Sequence, residues 1–268
     1  MLAMFCASLT FAWIAIASLT QWEGVYGQTQ TNLPVNDYRG VASDASGTNL
    51  IAIVETGPIY FSTDGGVSWD ISDAPDTEEY DCVASSSSGQ YVIAAAPTTT
   101  FVSSNYGRNW TQSLNVGGAS NCVGVSNSGQ YMVSASALEP TNACVSYSTD
   151  YGASFTTNLG PSGSNLASGC VGVGMDASGT YVVLSVSSEG LWVSSDVTNA
   201  ASWELTYPTP IQIEAIAFGG SSFYAGWVNP PHNIIQSTDY GASWTVKSAV
   251  STGIQSLAVD STGTKVLV

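Results

Sequence analysis

The chain carries few charges, and very few of these are cations. Only 9% of its 268 residues are Asp, Glu, Lys or Arg, against about a quarter in an average globular protein. Lys and Arg number 4 against 20 Asp and Glu, which gives a formal net charge of −16. Four cations cannot neutralise a phosphate backbone or hold an anionic membrane surface, so nucleic-acid binding and a polybasic membrane contact are excluded.

Histidine and cysteine, which build most metal and nucleophilic sites, are also scarce. The one histidine, His232, follows Pro230 and Pro231, and a lone histidine in such a rigid loop argues against Ser/His/Asp catalysis. The five cysteines form no Cys-x-x-Cys pair and no Cys/His spacing typical of zinc. We therefore predict no zinc site.

The densest run of charge is acidic and lies between residues 70 and 81. It contains Asp70, Asp73, Asp76, Glu78, Glu79 and Asp81. Several carboxylates so close together suit Ca²⁺, but the run lacks the Asp-x-Asp-x-Asp-Gly spacing of a calcium loop. The sequence thus predicts no cofactor, with Ca²⁺ at this run as the alternative.

The first 27 residues predict a signal peptide. Met1 to Leu19 carry no charge and are mostly apolar, and Val25 and Gly27 favour cleavage before Gln28. The alternatives are an uncleaved membrane anchor, or strands of the fold at residues 12–16 and 20–28. The chain is therefore expected to be secreted or on the cell surface, with membrane contact only through an uncleaved N-terminal segment.

Secretion would expose the chain to an oxidising compartment, where disulfides form, and to N-glycosylation. Once Cys6 leaves with the signal, four cysteines remain, which allow two disulfides in three connectivities: Cys82, Cys122, Cys144 and Cys170. The alternative is that these are small buried side chains at strand starts. The sequon Asn109-Trp110-Thr111 predicts N-glycosylation at Asn109.

What the sequence has in abundance is turns, in two interleaved series. The first pattern, here called the box, is Ser-x-Asp-x-Gly-x-x-Trp. It begins at Ser62 and recurs about every 43 residues, with a degenerate copy from Ser194 to Trp203. Its acidic or amide positions are Asp64, Asn105, Asp150, Asp196 and Asp239, and its aromatic positions are Trp69, Trp110, Phe155, Trp203 and Trp244.

The second series is a short polar run that ends in glycine. Its members end at Gly47, Gly89, Gly129, Gly179 and Gly263, with Gly219-Gly220 as an outlier. Glycine is favoured where a hairpin loop takes positive φ. Apolar, β-rich runs flank both series, so each repeat predicts four strands, a to d, joined by a glycine turn (a–b), a loop (b–c) and a box (c–d). Four antiparallel strands at this period predict an all-β β-propeller.

The box resembles the Asp-box, or BNR repeat, of sialidases, sortilin-type receptor ectodomains, xyloglucanases and photosystem II assembly factors. Its copies cover residues 40–253. The resemblance implies a propeller but no single function, because these relatives do different things. The box carboxylates are expected to accept backbone N–H bonds within the turn, and the tryptophans to pack between sheets, so neither group is a catalytic candidate.

The repeats predict one propeller domain over residues 28–268. Its blades are expected to start near residues 40, 81, 121, 169, 214 and 254. Trp22-Glu23-Gly24-Val25 resembles Trp203-Glu204-Leu205-Thr206, so a strand at residues 20–28, the alternative to the signal peptide, would complete the last blade. Six blades are predicted, with a truncated seven-bladed propeller as the alternative.

Ligands of propellers usually sit on the face that carries the b–c and d–a loops, opposite the boxes. The d–a loops are expected to carry Asp37, Glu204 and Glu214. The candidate catalytic carboxylates on this loop face are Glu55, Asp81, Glu139, Glu189 and Glu214. Sialidases grip the substrate carboxylate with three arginines. This chain has two, of which only Arg39 is well placed, since Arg108 lies in a box; sialidase activity is therefore excluded.

These observations favour a non-catalytic binding or structural module that contacts glycans or proteins through the loop face. The alternative is a glycoside hydrolase on a neutral polysaccharide, which needs only two suitably spaced carboxylates. Residue spacing does not fix the distances between such carboxylates, so both interpretations stay open here.

Overall fold

The computed structural model describes residues 32–268 except residues 35, 98, 114–119, 137–144, 158–159, 162–169, 188, 211, 231, 252 and 255. This part of the chain is all-β apart from one 3₁₀ turn, Ala200–Ser202. Six antiparallel sheets follow one another along the chain, and neighbouring strands in each sheet are consecutive in sequence. Four sheets have four strands, the third has three and the sixth has two.

The sheets are numbered 1 to 6 in chain order. Sheet 1 consists of β1 (Tyr38–Ser43), β2 (Leu50–Val54), β3 (Tyr60–Ser62) and β4 (Asp70–Ile71). Sheet 2 consists of β5 (Cys82–Ser85), β6 (Val92–Ala96), β7 (Thr99–Ser103) and β8 (Thr111–Gln112). Sheet 3 consists of β9 (Ser120–Val125), β10 (Met132–Ser136) and β11 (Val145–Ser148). Sheet 4 consists of β12 (Cys170–Met175), β13 (Val182–Val186), β14 (Gly190–Ser194) and β15 (Trp203–Pro208). Sheet 5 consists of β16 (Ile213–Gly219), β17 (Ser222–Trp227), β18 (Asn233–Ser237) and β19 (Thr245–Ala249). Sheet 6 consists of β20 (Ala258–Val259) and β21 (Val266–Leu267).

The glycine turns join the first two strands of the sheets as tight hairpins. Gly47, Gly89, Gly129 and Gly179 all have φ between 76° and 82°, which is unfavourable for residues with a Cβ. In the first turn the Asp44 carboxylate accepts the backbone N–H groups of Ser46 and Thr48 at 3.1 and 2.9 Å. Side-chain acceptors and left-handed glycines thus stabilise the turn locally.

The boxes join the third strand to the fourth, and their side chains close the turn. In the third box the Asp150 carboxylate accepts Ser154 N–H at 2.9 Å, Ser154 O–H at 2.6 Å and Ser148 O–H at 2.8 Å. The first and fifth boxes repeat this pattern around Asp64 and Asp239, and the second achieves it with the neutral amide of Asn105. The degenerate box instead bonds Asp196 to Thr198 and inserts the 3₁₀ turn.

The box carboxylates predict a loss of stability in acid. Hydrogen bonds from Ser68 lower the pKa of Asp64 to about 2, and the equivalent serine bonds lower the pKa of Asp150 and Asp239. A carboxyl whose folded pKa lies below its unfolded value of about 3.9 stabilises the fold above that pH and ceases to do so as the pH falls through the folded pKa. We expect the urea midpoint to drop between pH 5 and pH 2, and to drop less in Asp150→Asn, whose amide cannot titrate. Equal drops in both proteins would contradict this.

Successive sheets pack face to face. The first strands of neighbouring sheets contact one another in order, β1 with β5, β5 with β9, β9 with β12, β12 with β16 and β16 with β20. Each interface is filled by apolar side chains from both sheets, as where Phe61 and Ile51 of sheet 1 meet Val83 and Phe101 of sheet 2. Burial of such side chains is the main source of stability in a fold without helices.

Backbone hydrogen bonds also tie the glycine turns of neighbouring sheets together. Ala45 N–H donates to the Ser87 carbonyl at 2.9 Å, Ser87 N–H to Asn127 and Asn127 N–H to Ala177, both at 3.0 Å, so four successive sheets are linked. These turns and the boxes lie at the same end of the sheets, since Tyr106 N–H in the second box donates to Gln90 in the glycine turn at 3.1 Å. We call this end the turn face and the opposite end the loop face.

A second inter-sheet tie recurs with the same spacing. The Asp73 carboxylate, just after β4, accepts the backbone N–H of Trp110 in the second box at 2.8 Å. The Asn32 side chain accepts the backbone N–H of Trp69 in the first box at 2.8 Å and donates to its carbonyl at 2.9 Å. Asn32 therefore holds the position relative to sheet 1 that Asp73 holds relative to sheet 2.

Several sequence predictions fall outside the described residues. These are the signal peptide at residues 1–27, the strands at 12–16 and 20–28, and Cys6, Glu139 and Cys144. Among the described residues, no helix is long and apolar enough to cross a membrane.

Candidate functional site

Two of the predicted carboxylates, those of Glu55 and Asp81, interact with Arg39 at the loop face. Glu55 follows β2. Its backbone N–H donates to the backbone carbonyl of Asp37 at 2.9 Å, so the pairing of β1 and β2 extends by one more hydrogen bond. Its carboxylate forms an ion pair with Arg39 of β1. Asp81 precedes β5, where its N–H donates to Ala95 at 2.9 Å.

Asp81 is half-buried between charges of both signs. Burial raises the pKa of its carboxyl, the Arg39 guanidinium opposes that rise, and the negative charges of Glu79 and Glu55 reinforce it. Arg39 is thus near two carboxylates, although its Nε is buried without a hydrogen-bond partner among the described residues. The sequence predicted the acids, but only the packing of sheet 1 on sheet 2 brings Arg39 near enough to act on the Asp81 carboxyl.

Glu214 approaches the same region from sheet 5. It lies within β16, half-buried, and burial raises the pKa of its carboxyl. Gln212 donates its side-chain N–H to Glu214 Oε1 at 2.6 Å. The charges of Glu214 and Asp81 both act on Cys122, whose pKa rises to about 12, mainly because of burial. We call Arg39, Glu55, Asp81, Cys122 and Glu214 the loop-face cluster.

The remaining acids do not join this cluster in the same way. Glu189 precedes β14 and accepts the indole N–H of Trp192 at 3.0 Å. Glu204 was expected in a loop of the loop face, but it lies in β15, next to Trp203 of the degenerate box and opposite Val193. The strand starts at Trp203, so the register places Glu204 near the turn face. Of the two other d–a acids, Asp37 precedes β1 and Glu214 lies within β16.

The acidic run between residues 70 and 81 is held by structural contacts. Tyr80 is fully buried, and its hydroxyl donates to the Pro75 carbonyl at 2.8 Å. Asp73 accepts both Trp110 N–H and the Asn109 side-chain N–H, the latter at 2.7 Å. Across the described ranges, no group of three or more His, Cys, Asp or Glu side chains is arranged to hold a metal ion.

The residues predicted to be structural lie in the turns. Asn109 is exposed in the second box, where its side-chain oxygen also accepts a hydrogen bond from the side-chain amide of Asn105 at 2.7 Å. Arg108, next to it, places its guanidinium 5.8 Å from the ring centre of Phe61. N-glycosylation at Asn109 stays a prediction.

The described cysteines lie at the innermost strands. Cys82, Cys122 and Cys170 are all buried at or near the starts of β5, β9 and β12. Cys82 Sγ accepts Val123 N–H at 3.4 Å, and Cys122 S–H donates to the Val171 carbonyl at 3.2 Å, so both sulfur atoms contact the next sheet. The predicted disulfides stay a prediction, since Cys144 is outside the described residues.

The loop-face cluster predicts a titration shift. Replacing Arg39 with glutamine removes the charge that holds the pKa of Asp81 down, so this pKa should rise further. A carboxyl whose pKa is higher in the folded protein than in the unfolded chain makes the fold less stable as the pH rises from the unfolded to the folded value. Arg39→Gln should therefore enlarge this loss of stability. NMR titration of the Asp81 carboxyl carbon measures the shift. Arg108→Gln is the matched control; an equal shift there, or none in Arg39→Gln, would contradict the assignment.

One feature of the turn face was not anticipated. Tyr106, Tyr151 and Tyr240 follow the Asp or Asn of their boxes and all have positive φ, between 57° and 66°. Tyr240 stacks on Tyr181 of the preceding sheet, and Tyr151 packs against Tyr91 of the preceding sheet with tilted ring planes. The repeated tyrosine is visible in the sequence, but its partners are not.

Comparison with known proteins bears on the fold alone. No family model and no curated protein matches the chain. An ancestral GH74 enzyme matches 89% of this chain and 35% of its own length, with a TM-score of 0.65 and 16% identity. A GH74 enzyme of Niastella koreensis matches 84% and 45%, with a TM-score of 0.49 and 14% identity.

YCF48 bound to D1 peptide matches 82% of this chain and 75% of its own length, with a TM-score of 0.52 and 14% identity. The chain therefore spans less than half the length of both GH74 enzymes. Similarity at this level of identity carries no activity from one protein to another. It shows that the six sheets are arranged as in a β-propeller, as the repeats predicted; the number of blades and the closure of the ring stay predictions.

Proposed function

We propose that this protein is a non-catalytic binding module that contacts an extracellular glycan or protein through its loop face. The observation that carries the proposal is the state of the loop-face carboxylates. Glu55 is paired with Arg39, and Glu189 accepts the Trp192 indole. Burial raises the pKa of both Asp81 and Glu214.

This state is a poor starting point for glycoside hydrolysis. Hydrolysis requires one protonated and one ionised carboxyl about 5–10 Å apart, with environments that push their pKa values in opposite directions. Asp81 and Glu214 are shifted in the same direction by the same cause. One similar structure, YCF48, binds a peptide, so a propeller of this kind can serve as a peptide-binding surface.

Binding by the loop face is tested with the full chain on glycan and peptide arrays. A triple variant, Asp76→Asn, Glu78→Gln and Glu79→Gln, removes the acidic charges that precede Asp81, among them that of Glu79, which acts on the Asp81 carboxyl, without touching the Arg39–Glu55 ion pair. Glu204→Gln is the charge control, because Glu204 is exposed near the turn face. Loss of a bound spot in the triple variant alone supports the proposal. A spot that both variants retain, or the absence of any spot, counts against it.

A glycoside hydrolase on a neutral polysaccharide is the second candidate, and one pair favours it. Asp81 has a raised pKa, whereas Glu55 forms an ion pair with Arg39. Asp81 would then donate a proton to the leaving oxygen and Glu55 would serve as the base or nucleophile. Hydrolysis of a neutral polysaccharide that Asp81→Asn and Glu55→Gln each abolish would establish this and overturn the non-catalytic proposal.

The proposal includes the type of repeat and the number of blades. We infer that the boxes are Asp-boxes, since their hydrogen bonds repeat around three aspartates and one asparagine. We also infer six blades, because Asn32 acts toward sheet 1 as Asp73 acts toward sheet 2. Non-reducing mass spectrometry of the secreted chain tests the compartment; reduced cysteines throughout and an uncleaved N-terminus would contradict it.

A further inference from the structure

The box tyrosines occupy a backbone conformation that aromatic residues disfavour. Tyr106, Tyr151 and Tyr240 have φ of 66°, 62° and 57°. Gly65 fills the same position of the first box, with φ of 75°. A bulky residue in the left-handed region is a conformational outlier. The glycine of the first box shows that the turn itself does not require an aromatic side chain. Such an outlier points to a use for the ring.

Two of these tyrosines form aromatic pairs across sheet boundaries. Tyr151 of sheet 3 packs against Tyr91 of sheet 2, with ring centres 4.6 Å apart and planes tilted by 34°. Tyr240 of sheet 5 stacks on Tyr181 of sheet 4, at 4.5 Å and 18°. The outer rings stay accessible, since Tyr151 is 42% and Tyr240 38% exposed. The turn face thus carries two aromatic platforms, here called the tyrosine pairs.

Polar side chains lie next to the tyrosine pairs in sequence. Asp150 and Asp239 precede the outer tyrosines, and their carboxylates are held by the serines of the box. Ser128 and Thr180, in the glycine turns of sheets 3 and 4, are exposed. Flat rings flanked by hydroxyls and carboxylates suit a sugar, which offers an apolar C–H face and a hydroxyl edge, whereas a peptide anchor needs a desolvated pocket.

Charge narrows the class of sugar. The chain has a formal net charge of −16, and the residues next to both outer tyrosines are aspartates. An anionic polysaccharide would be repelled, and the arginines that grip carboxylates are absent from both boxes. We propose that the tyrosine pairs form a binding surface for a neutral polysaccharide on the turn face, separate from the loop face and independent of its proposed function.

The chain contains its own controls for this surface. Tyr106 has the same box position and the same positive φ, but it stacks on no ring within the described residues. Glycine at these positions preserves the turn, as Gly65 does in the first box. Tyr→Gly variants should therefore fold, which melting curves would verify.

Affinity electrophoresis of the full chain tests the proposal, in gels that contain hydroxyethylcellulose, galactomannan or glycogen. At least one polymer should retard the protein, and Tyr151→Gly combined with Tyr240→Gly should weaken that binding about tenfold or more. Tyr151→Phe with Tyr240→Phe keeps the rings and should bind within about twofold of the original chain. Tyr106→Gly should leave binding unchanged.

Four results would overturn the proposal. These are no retardation by any of the three polymers, retention of binding in the double glycine variant, an equal loss in Tyr106→Gly, and binding of peptides rather than polysaccharide at the pairs. The loop-face triple variant separates this proposal from the previous one. If that variant abolishes retardation and the double glycine variant does not, the polysaccharide site is on the loop face.

Discussion

Replacing Gly129 with alanine should lower the free energy of unfolding by about 3 kcal/mol. Gly129 has φ of 82°, which disfavours any residue with a Cβ. A Cβ there would also lie 2.5 Å from Cδ2 and 2.6 Å from Cβ of Tyr91, on the neighbouring sheet. Strain within the turn and overpacking between sheets therefore add, and urea denaturation followed by tryptophan fluorescence measures the sum.

Gly47 provides the matched control, because it holds the same position in the first glycine turn with φ of 76°. A Cβ at Gly47 meets nothing within 4 Å. Gly47→Ala should therefore cost only the backbone strain, about 1 kcal/mol. If both variants lose the same stability, packing against Tyr91 contributes nothing. Gly129→Ala should also displace Tyr91, and with it one tyrosine pair.

Replacing Tyr80 with alanine should cost about 4 kcal/mol, because a fully buried aromatic side chain leaves a cavity that its neighbours cannot fill. Tyr80 packs between sheets 1 and 2 with Ile59 and Val83, and its ring lies edge-on to Phe101 at 5.7 Å. It directly precedes Asp81. The cavity should therefore disturb the loop-face cluster as well as the core.

Tyr80→Phe separates the ring from its hydroxyl. Phenylalanine keeps the packing and loses only the hydrogen bond to the Pro75 carbonyl, so the expected cost is about 1 kcal/mol. Chemical denaturation of the three proteins side by side measures both terms. Equal stability of Tyr80→Ala and Tyr80→Phe would show that the ring is not the main contribution.

The strand order could be predicted because turn chemistry is local. A left-handed glycine after a polar run, and an Asp that accepts N–H groups four residues on, act within a few residues of each other. These patterns indicated which segments pair and in what order, and the consecutive antiparallel sheets agree with them. Glu204 was misplaced because of the degenerate box, where a two-residue insertion hides the start of β15.

The candidate site could be predicted only as a set of residues. Glu55, Asp81 and Glu214 were candidates because they are acids near loops. Whether two acids act on each other depends on which strands are neighbours in space and on what lies between them. Arg39 pairs with Glu55, and the charges of both residues act on Asp81, so these acids are not independent of each other.

The tyrosine pairs show the same division. The sequence by itself determined that three boxes carry a tyrosine after Asp or Asn, because this is a matter of residue order. Only the tertiary structure decided that Tyr151 and Tyr240 have ring partners, whereas Tyr106 has none in the described part of the chain. The partners come from the glycine turn of the preceding sheet, which presents Tyr91 and Tyr181 to the third and fifth boxes. Local turns are encoded by neighbours in sequence, whereas surfaces are made by neighbours in space.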